Sequence, residues 1–374
     1  MAQQYPYDLR TGFPNTSVLV PHEQLAAITQ QLLLTDSATQ YTGERQGLTQ
    51  ARQQIASFLS TYSTQTAHPD EIVITSGAIA ATDLVCRAST QPGDIVVVED
   101  PTFYYMIDIL KMSHIEVVPV PMTPDGLDLN ALQAVVDQYG ERVKLVYTIA
   151  SFHNPTGINA TPENRSKLVK MAQQHNFVII EDTTYQWLYF EEEPPALCRH
   201  YDDKGGYVVP IGSFSKTIMP ALRMGWIWAG SPEQAKHFTD SKGDGAAGAL
   251  TSAMIGTFME QGLYEAQLER ARSHYAERCH VLVEALQECI PANVEWAIPK
   301  GGYFVWMKLP DHIKASDVLL CAQARGADFM PGHRAFANGD NDQYMRLCFT
   351  MLDDEHLQKA AQIIAESIIE AAAQ

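Results

Sequence analysis

The chain alternates between strand-like and helix-like hydrophobic patterns. After residue 70, short runs rich in Val and Ile recur, each ending in turn or polar residues: EIVITSG, GDIVVVEDP, HIEVVPVPM, VKLVYTIA, FVIIEDTTY, GYVVPIGSFSK and MGWIWAG. Helix-like segments lie between several of them, such as AIAATDLVCRAS, TFYYMIDILKM and TPENRSKLVKMAQQH. Continuous apolar strands alternating with helices are typical of a mostly parallel sheet covered on both faces. The pattern therefore predicts an α/β fold.

The two ends of the chain follow a different pattern. The helix-like segments PHEQLAAITQQLLL and LTQARQQIASFLSTY precede the strand-rich part. After about residue 250 the pattern is helical over a long region, SAMIGTFMEQGLYEAQLERARSHYAERCHVLVEALQECI. Strand-like YFVWMKL, ADFM and YMRLCF and a closing helix around EHLQKAAQIIAESIIEAAA follow. We therefore expect a large domain over residues 40–275 and a smaller α+β domain formed by residues 1–39 and 276–374.

Composition excludes several classes of protein. The 374 residues carry 26 Lys and Arg against 44 Asp and Glu, a net charge of −18, which argues against binding to nucleic acid or to an anionic membrane. No apolar run approaches the length of a transmembrane helix, and the N-terminus does not resemble a secretory signal. The six cysteines show no metal-ligand spacing, so we expect a cytoplasmic protein with reduced thiols and no metal.

The most informative segment is GSFSKTIMPALRMGW. In parallel sheets the ligand binds beyond the carboxyl ends of the strands, and Lys216 follows such a strand, where a solvated lysine is not expected. Desolvation and nearby positive charge lower a lysine pKa and make the amine available as a nucleophile. Ser213, Ser215 and Arg223 together suit a phosphate group.

Two further strand ends carry polar side chains. Asn154 lies on a Pro-containing turn in SFHNPTG, and Asp182 ends FVIIED with Tyr185 three residues later. Taken alone, Asn-Pro is typical of a plain turn, and a carboxylate at that position suits a helix N-cap.

In chain order, the segments GFPN, TSGAIAATDL, EDPTF, PDGLDL, HNPTG, EDTTY, SFSK, PKGGYFVW, PG..F and RL.F span nearly the whole sequence. This series resembles the fold-type-I pyridoxal 5′-phosphate (PLP) enzymes, specifically the class I/II aminotransferases. The resemblance is greatest to the branch with 2-aminoadipate and kynurenine aminotransferases and the effector domains of MocR-type regulators. It implies a large domain with a mostly parallel sheet, a smaller α+β domain and PLP as cofactor.

The resemblance assigns roles to matching residues around the PLP ring. Lys216 would hold the cofactor as a Schiff base and move the proton from the substrate Cα. Asp182 would pair with the pyridine nitrogen and keep it protonated, while Tyr185 and Asn154 would bond the ring oxygen O3′. Phe103 falls where the family places an aromatic ring over the pyridine face.

The remaining roles concern anions and the subunit interface. The phosphate would be held by Ser213, Ser215, Arg223 and the backbone N–H groups of Gly77, Ala78 and Ile79 at a helix N-terminus. Arg346 would bind the substrate α-carboxylate bidentately, with Gly12 and Asn154 nearby. Tyr41 resembles the tyrosine that reaches the phosphate of the neighbouring subunit, which implies a homodimer with shared active sites.

The chain departs from the branch at three places. Phe103 replaces a common tyrosine, and His153 precedes Asn154 where glutamine is frequent. The stretch from Thr11 to Gln40 contains no Arg or Lys, which weakens a dicarboxylic substrate unless Arg10 or Arg45 substitutes. The Gly- and Ala-rich segment 242–250 has no assigned role.

Three functions compete at this point. The leading one is an aminotransferase that moves an amino group from an L-amino acid to a 2-oxo acid. The same cofactor also supports elimination, replacement, carbon–carbon bond formation or oxidation. A PLP-binding regulator is the third, but such regulators carry a helix-turn-helix segment ahead of this fold, whereas GFPN arrives here by residue 12.

Overall fold

The structure follows the predicted alternation of strands and helices. The computed structural model describes residues 5–35, 39–40, 43–112, 115–244 and 248–373. The strands are β1 (Tyr7–Asp8), β2 (Ile72–Thr75), β3 (Ile95–Asp100), β4 (Glu116–Thr123), β5 (Gly126–Leu127), β6 (Val143–Thr148), β7 (Val178–Asp182), β8 (Val208–Ser213), β9 (Gly225–Trp228), β10 (Glu295–Trp296), β11 (Phe304–Lys308), β12 (Ala327–Asp328), β13 (Met330–Pro331) and β14 (Tyr344–Cys348). The helices are α1 (Thr16–Leu19), α2 (His22–Leu33), α3 (Thr49–Thr61), α4 (Ala78–Ser89), α5 (Tyr104–Met112), α6 (Leu129–Tyr139), α7 (Pro162–His175), α8 (Pro232–Asp240), α9 (Ala249–Glu260), α10 (Leu263–Cys289), α11 (Ala315–Ala324) and α12 (Asp354–Ala372).

An eight-stranded sheet forms the centre of the larger part, in the order β2-β9-β8-β7-β6-β3-β4-β5. Strands β4, β3, β6, β7 and β8 are parallel neighbours, while β9 is antiparallel to both β8 and β2 and β5 is antiparallel to β4. Along β3, Val96 and Val98 belong to one buried cluster and Ile95 and Val97 to another. Because successive side chains point to opposite faces, both faces of the sheet are covered. The predicted α/β fold with a mostly parallel sheet is confirmed.

Residues near both ends of the chain build a second, smaller set of sheets. Strands β10, β11, β14 and β13 form an antiparallel sheet, and β1 pairs in parallel with β12. Helix α12 packs its apolar face against this region through Leu357, Ile364 and Ile368, all of them buried. The exact domain division at residues 39 and 275 stays a prediction, since α10 runs unbroken through residue 275.

The helical stretch that the pattern predicts after about residue 250 is divided into two helices. It consists of α9 and α10, which Gln261 and Gly262 separate. Gly262 has a φ of +69°, the left-handed conformation, which glycine adopts without the steric penalty of a Cβ atom. The hydrophobic pattern continues across this point because both helices bury apolar residues.

Two findings concern the expected cellular setting. Within the part of the chain that the structure describes, no helix combines enough length with enough apolar character to cross a bilayer. The six cysteines all lie in that part, and none of them forms a disulfide.

Replacing Gly262 by alanine should lower the free energy of unfolding by about 1 kcal/mol, because an L-residue is strained in the left-handed region. An added Cβ meets no atom within 4 Å there, so the effect is one of backbone conformation alone. Denaturant unfolding measures it. Gly243→Ala is the control, since that glycine lies outside the left-handed region and its added Cβ also meets nothing. Equal stability of both variants would contradict the explanation of the helix break.

Candidate active site

The carboxyl ends of β2, β6, β7 and β8 open onto a cavity of about 200 Å³. Twelve residues proposed from the sequence line it: Gly12, Ala78, Ile79, Phe103, Asn154, Asp182, Tyr185, Ser213, Ser215, Lys216, Arg223 and Arg346. Gly77 does not line the cavity but lies against Arg223, as described below. Tyr41 lies outside the described residues. The structure thus brings together groups from strands and loops that are up to 334 residues apart, from Gly12 to Arg346.

Lys216 lies in the turn that follows β8. Its Nζ donates a hydrogen bond of 2.5 Å to the carbonyl oxygen of Gly12, and the rings of Phe13 and Tyr303 lie 5.7 and 5.5 Å away. Burial lowers the pKa of the amine from 10.5 to about 8, and the positive charges of Arg346 and Arg223 act in the same direction. The amine is therefore available as a nucleophile close to neutral pH.

Asp182 ends β7 and is buried. Its Oδ2 accepts a hydrogen bond of 2.8 Å from the Tyr147 hydroxyl on β6, and its Oδ1 accepts one of 3.0 Å from the Thr184 N–H. Burial raises the pKa of this carboxyl, while both hydrogen bonds favour the charged form. The sequence interpretation missed Tyr147, although a single tyrosine in the run VKLVYTIA needs a partner for its hydroxyl when buried.

An anion cradle lies beside the lysine, made of Ser213, Ser215, Arg223 and the start of α4. The two serine hydroxyls are 3.0 Å apart, and Arg223 donates to Ser215 Oγ at 3.4 Å and to the Ser76 carbonyl at 3.1 Å. The N-cap of α4 is Gly77, which makes no side-chain cap, so N–H groups of the first turn stay available for an anion.

Glycine is required at position 77 for two reasons. Its φ is +99°, and a Cβ there would lie 2.9 Å from Arg223 Nη2. The backbone can therefore approach the guanidinium closely, which brings the helix N-terminus and Arg223 to the same point.

Arg346 projects from β14 and is buried. Its Nη1 donates to Asn154 Oδ1 and its Nη2 to the Arg10 carbonyl, both at 2.9 Å, and its Cζ lies 4.0 Å from the centre of the Phe304 ring. The Nε atom is buried without a hydrogen-bond partner among the described residues. Burial lowers the pKa of this guanidinium, so an anion in the cavity would relieve the cost of burying it.

Three more proposed residues complete the wall. Tyr185 packs edge-on against Tyr303 and Phe304, with ring centres 5.3 and 5.8 Å apart, and burial raises its pKa so that it stays a hydroxyl donor. Phe103 packs edge-on against the two tyrosines that follow it. At Gly12, an added Cβ would lie 3.1 Å from the Phe304 ring and 3.8 Å from Arg346 Nη2.

His153 does not line the cavity. It is fully buried, with Nε2 at 3.0 Å from Glu99 Oε2 and Nδ1 at 2.9 Å from Thr156 Oγ1. The side chain therefore supports the turn that carries Asn154 and lies outside the cavity lining.

Sequence reasoning missed a group of apolar and aromatic residues that also line the cavity: Phe13, Tyr104, Tyr105, Met106, Ile109, Ile149 and Phe304. The sequence offers a signal for Tyr104 and Tyr105, because FYY is the only run of three aromatic residues in the chain.

The donor set fits pyridoxal phosphate. Two hydroxyls, a guanidinium and a helix N-terminus suit its dianionic phosphate, a buried carboxylate suits its ring nitrogen, and a lysine of lowered pKa suits its aldehyde. The α/β fold and these groups define a PLP-dependent enzyme of fold type I.

Comparison with known proteins gives the family. The family model for aminotransferase class I and II matches residues 8–364, and the chain belongs to that family. It is therefore a PLP-dependent enzyme of amino-group transfer, and the resemblance drawn from the motifs is confirmed.

Three similar proteins illustrate the range of the family. The chain is 32% identical over 357 residues to aromatic-amino-acid aminotransferase 1 of Thermococcus litoralis, covering 94% of this chain and 85% of that protein. It is 32% identical over 304 residues to 2-aminoadipate transaminase of Thermus thermophilus, covering 80% and 76%. The kynurenine aminotransferase of Pyrococcus horikoshii, solved in complex with PMP, superposes with a TM-score of 0.91 at 29% identity, covering 97% and 91%.

The lowered pKa of Lys216 is directly testable in cofactor-free protein. Only the neutral amine reacts with an acylating reagent, so labelling of Lys216 should rise with pH to a midpoint near 8, well below the lysine value of 10.5. Peptide mass spectrometry across a pH series measures it, with exposed lysines of the same digest as internal reference. A midpoint equal to that of the exposed lysines would contradict the proposed environment.

Proposed function

We propose that this aminotransferase takes its amino group from a neutral L-amino acid with an aromatic or large aliphatic side chain, and passes it to a 2-oxo acid. The observation that carries this proposal is the wall of the cavity near Arg346, which is aromatic and aliphatic.

No described cation that lines the cavity is left over for a second carboxylate. Among the described residues, the cations that line the cavity are Lys216, Arg223 and Arg346, and each has a proposed role. Arg10 pairs with Asp328 at 3.5 Å, and Arg45 donates to the Lys242 carbonyl at 3.0 Å. Arg10 and Arg45 are therefore engaged elsewhere. Arg334, whose Cζ lies 5.0 Å from the centre of the Tyr104 ring, is exposed and does not line the cavity.

The wall suits an apolar side chain. The rings of Tyr104 and Tyr105 lie 4.4 Å apart, and Ile79 and Ile109 continue the same surface. Burial raises the pKa of Tyr104 to about 12, so its hydroxyl is neutral at physiological pH. A buried apolar side chain gains about 0.8 kcal/mol per CH₂ group, whereas an unpaired carboxylate there would lose its hydration without compensation.

The similar proteins agree with this in part. Two of those described above act on aromatic compounds by name, aromatic amino acids and kynurenine. The third, 2-aminoadipate transaminase, is named for a dicarboxylic amino acid, whereas the described cations that line the cavity here already have other proposed roles.

Each proposed site residue has a distinct task. When bound, PLP supplies an aldehyde for the amino group and a ring that accepts electrons. We assign to Lys216 Nζ the covalent attachment of the cofactor and the movement of the substrate Cα proton. Asp182 holds the proton on the ring nitrogen, Tyr185 and Asn154 donate to the ring oxygen, and Arg346 binds the α-carboxylate.

We further propose a cytoplasmic homodimer with shared active sites. The role of Tyr41 in the partner's phosphate site rests on the resemblance alone. The cytoplasmic location rests on the scattered cysteines, which suit a reducing compartment.

Covalent trapping tests the assignment of Lys216. Borohydride reduction of the PLP-loaded protein should fix the cofactor to one lysine, and peptide mass spectrometry should locate it at Lys216. Lys216→Ala should carry no adduct, while Lys242→Arg, a change at another buried lysine, should leave the adduct in place. An adduct on any other lysine would overturn the assignment.

A panel of donors tests the side-chain class. Phenylalanine and leucine should convert bound PLP to the pyridoxamine form with higher kcat/KM than glutamate or 2-aminoadipate. Tyr104→Ala should lower kcat/KM for phenylalanine about tenfold and leave that for alanine unchanged, because only the large side chain reaches the wall. Tyr104→Phe, which keeps the ring, is the matched control. Preference for glutamate would reject the side-chain class, whereas failure of every donor would reject amino-group transfer itself.

A further inference from the structure

Two buried phenols hold the backbone carbonyl of Lys216. Tyr303 donates to this oxygen at 2.9 Å and Tyr275 at 3.1 Å, and the two hydroxyl oxygens are 2.7 Å apart. Tyr275 is 0% exposed and Tyr303 is 1% exposed. We call Tyr275 and Tyr303 the tyrosine pair.

We propose that the tyrosine pair is a positioning device, which fixes the Lys216 amine relative to the Arg346 guanidinium for the transfer reaction. Neither tyrosine lines the cavity, so both act through other residues and not on substrate.

The carbonyl depends on the pair. In the turn after β8, the N–H groups of Thr217, Ile218 and Met219 all bond the Phe214 carbonyl. Among the hydrogen bonds of the described residues, only those from the tyrosine pair reach the Lys216 carbonyl. A buried carbonyl without a donor is costly, so the pair determines where this part of the turn can lie.

The geometry also links the lysine to Arg346. Tyr303 directly precedes β11, and the next residue, Phe304, lies under the Arg346 guanidinium at 4.0 Å. One dipeptide thus contacts both the main chain of the reactive lysine and the group proposed for the substrate carboxylate. A substrate held at its carboxylate reacts at its Cα only if the amine stands at a fixed distance, so this spacing sets the alignment of the reaction.

The number of hydroxyl protons predicts how the effects of changing the two tyrosines combine. Two hydroxyls carry two protons, but three oxygen–oxygen contacts connect them and the carbonyl, so one contact has no proton of its own. After loss of either hydroxyl, the other can still donate to the carbonyl. Loss of both leaves the carbonyl without a donor. The effects of the two changes should therefore be more than additive.

A double-mutant cycle of Tyr275→Phe and Tyr303→Phe in the PLP-loaded enzyme tests this, since phenylalanine keeps the ring packing. Each single change should lower kcat about threefold or less, and the double change should lower it at least about thirtyfold. The KM for the amino donor should stay within about twofold, because Arg346 keeps its own contacts. A product of the single effects equal to the double effect would overturn the proposal.

A second readout is independent of activity. In cofactor-free protein, the labelling midpoint of Lys216 should move from about 8 toward the ordinary lysine value in the double variant, since the amine leaves its buried position. Tyr264→Phe is the control, because Tyr264 is equally buried but bonds the Thr217 side chain at 3.2 Å. If the double variant does not fold, the labelling midpoints of Lys216 in the two single variants test the proposal. In either single variant the remaining hydroxyl still donates to the carbonyl, so a midpoint that stays near 8 in both supports the proposal, and a shift to the ordinary lysine value in either overturns it.

Discussion

Three cationic side chains share one cavity with a single carboxylate. Lys216, Arg223 and Arg346 all line it, and the acidic partner on the same wall is Asp182. Placing like charges together in a poorly solvated space is unfavourable unless anions or carbonyl dipoles compensate. Burial lowers the pKa of Lys216 first of all, and the charges of Arg346 and Arg223 lower it further. Carbonyl groups of the surrounding structure compensate part of this positive charge, and the phosphate of the cofactor and the carboxylate of the substrate would compensate the rest.

Part of that compensation comes from the N-terminal segment. The carbonyls of Arg10 and Gly12 accept hydrogen bonds from Arg346 and Lys216. Further along, Gln267 on α10 donates to the carbonyls of both Leu19 and Thr217. The segment before α2 is therefore joined to the turn that carries the lysine by Lys216 itself and by Gln267 on α10, and it is joined to β14 by Arg346. A part of the chain with little regular structure obtains its defined position from the charges and dipoles that it satisfies.

The sequence predicts best what local pattern and chemical type determine. Seven strands, namely β2, β3, β4, β6, β7, β8 and β9, follow from continuous apolar runs and their polar ends. The same holds for helix α4, whose predicted segment has the observed limits Ala78–Ser89. The cavity residues follow from a series of motifs in a fixed order. The helix break at Gly262 and the hydroxyl contacts of Tyr147 and Tyr303 are harder to predict from the sequence. The first depends on one backbone angle, and the others join residues 35 and 87 positions apart, which no local pattern reveals.

His153, one of the departures from the family pattern, shows what determines the identity of a residue behind the cavity wall. The imidazole of His153 lies between Glu99 and Thr156 with no exposed surface. Glu99 also accepts from the Thr148 hydroxyl and the Ile149 N–H, so the carboxylate belongs to a network that spans β3, β6 and the Asn154 turn. The identity of residue 153 is thus set by its buried partners and not by the cofactor. For this group behind the cavity wall, the constraint is a suitable partner for the buried Glu99 carboxylate and for the Thr156 hydroxyl.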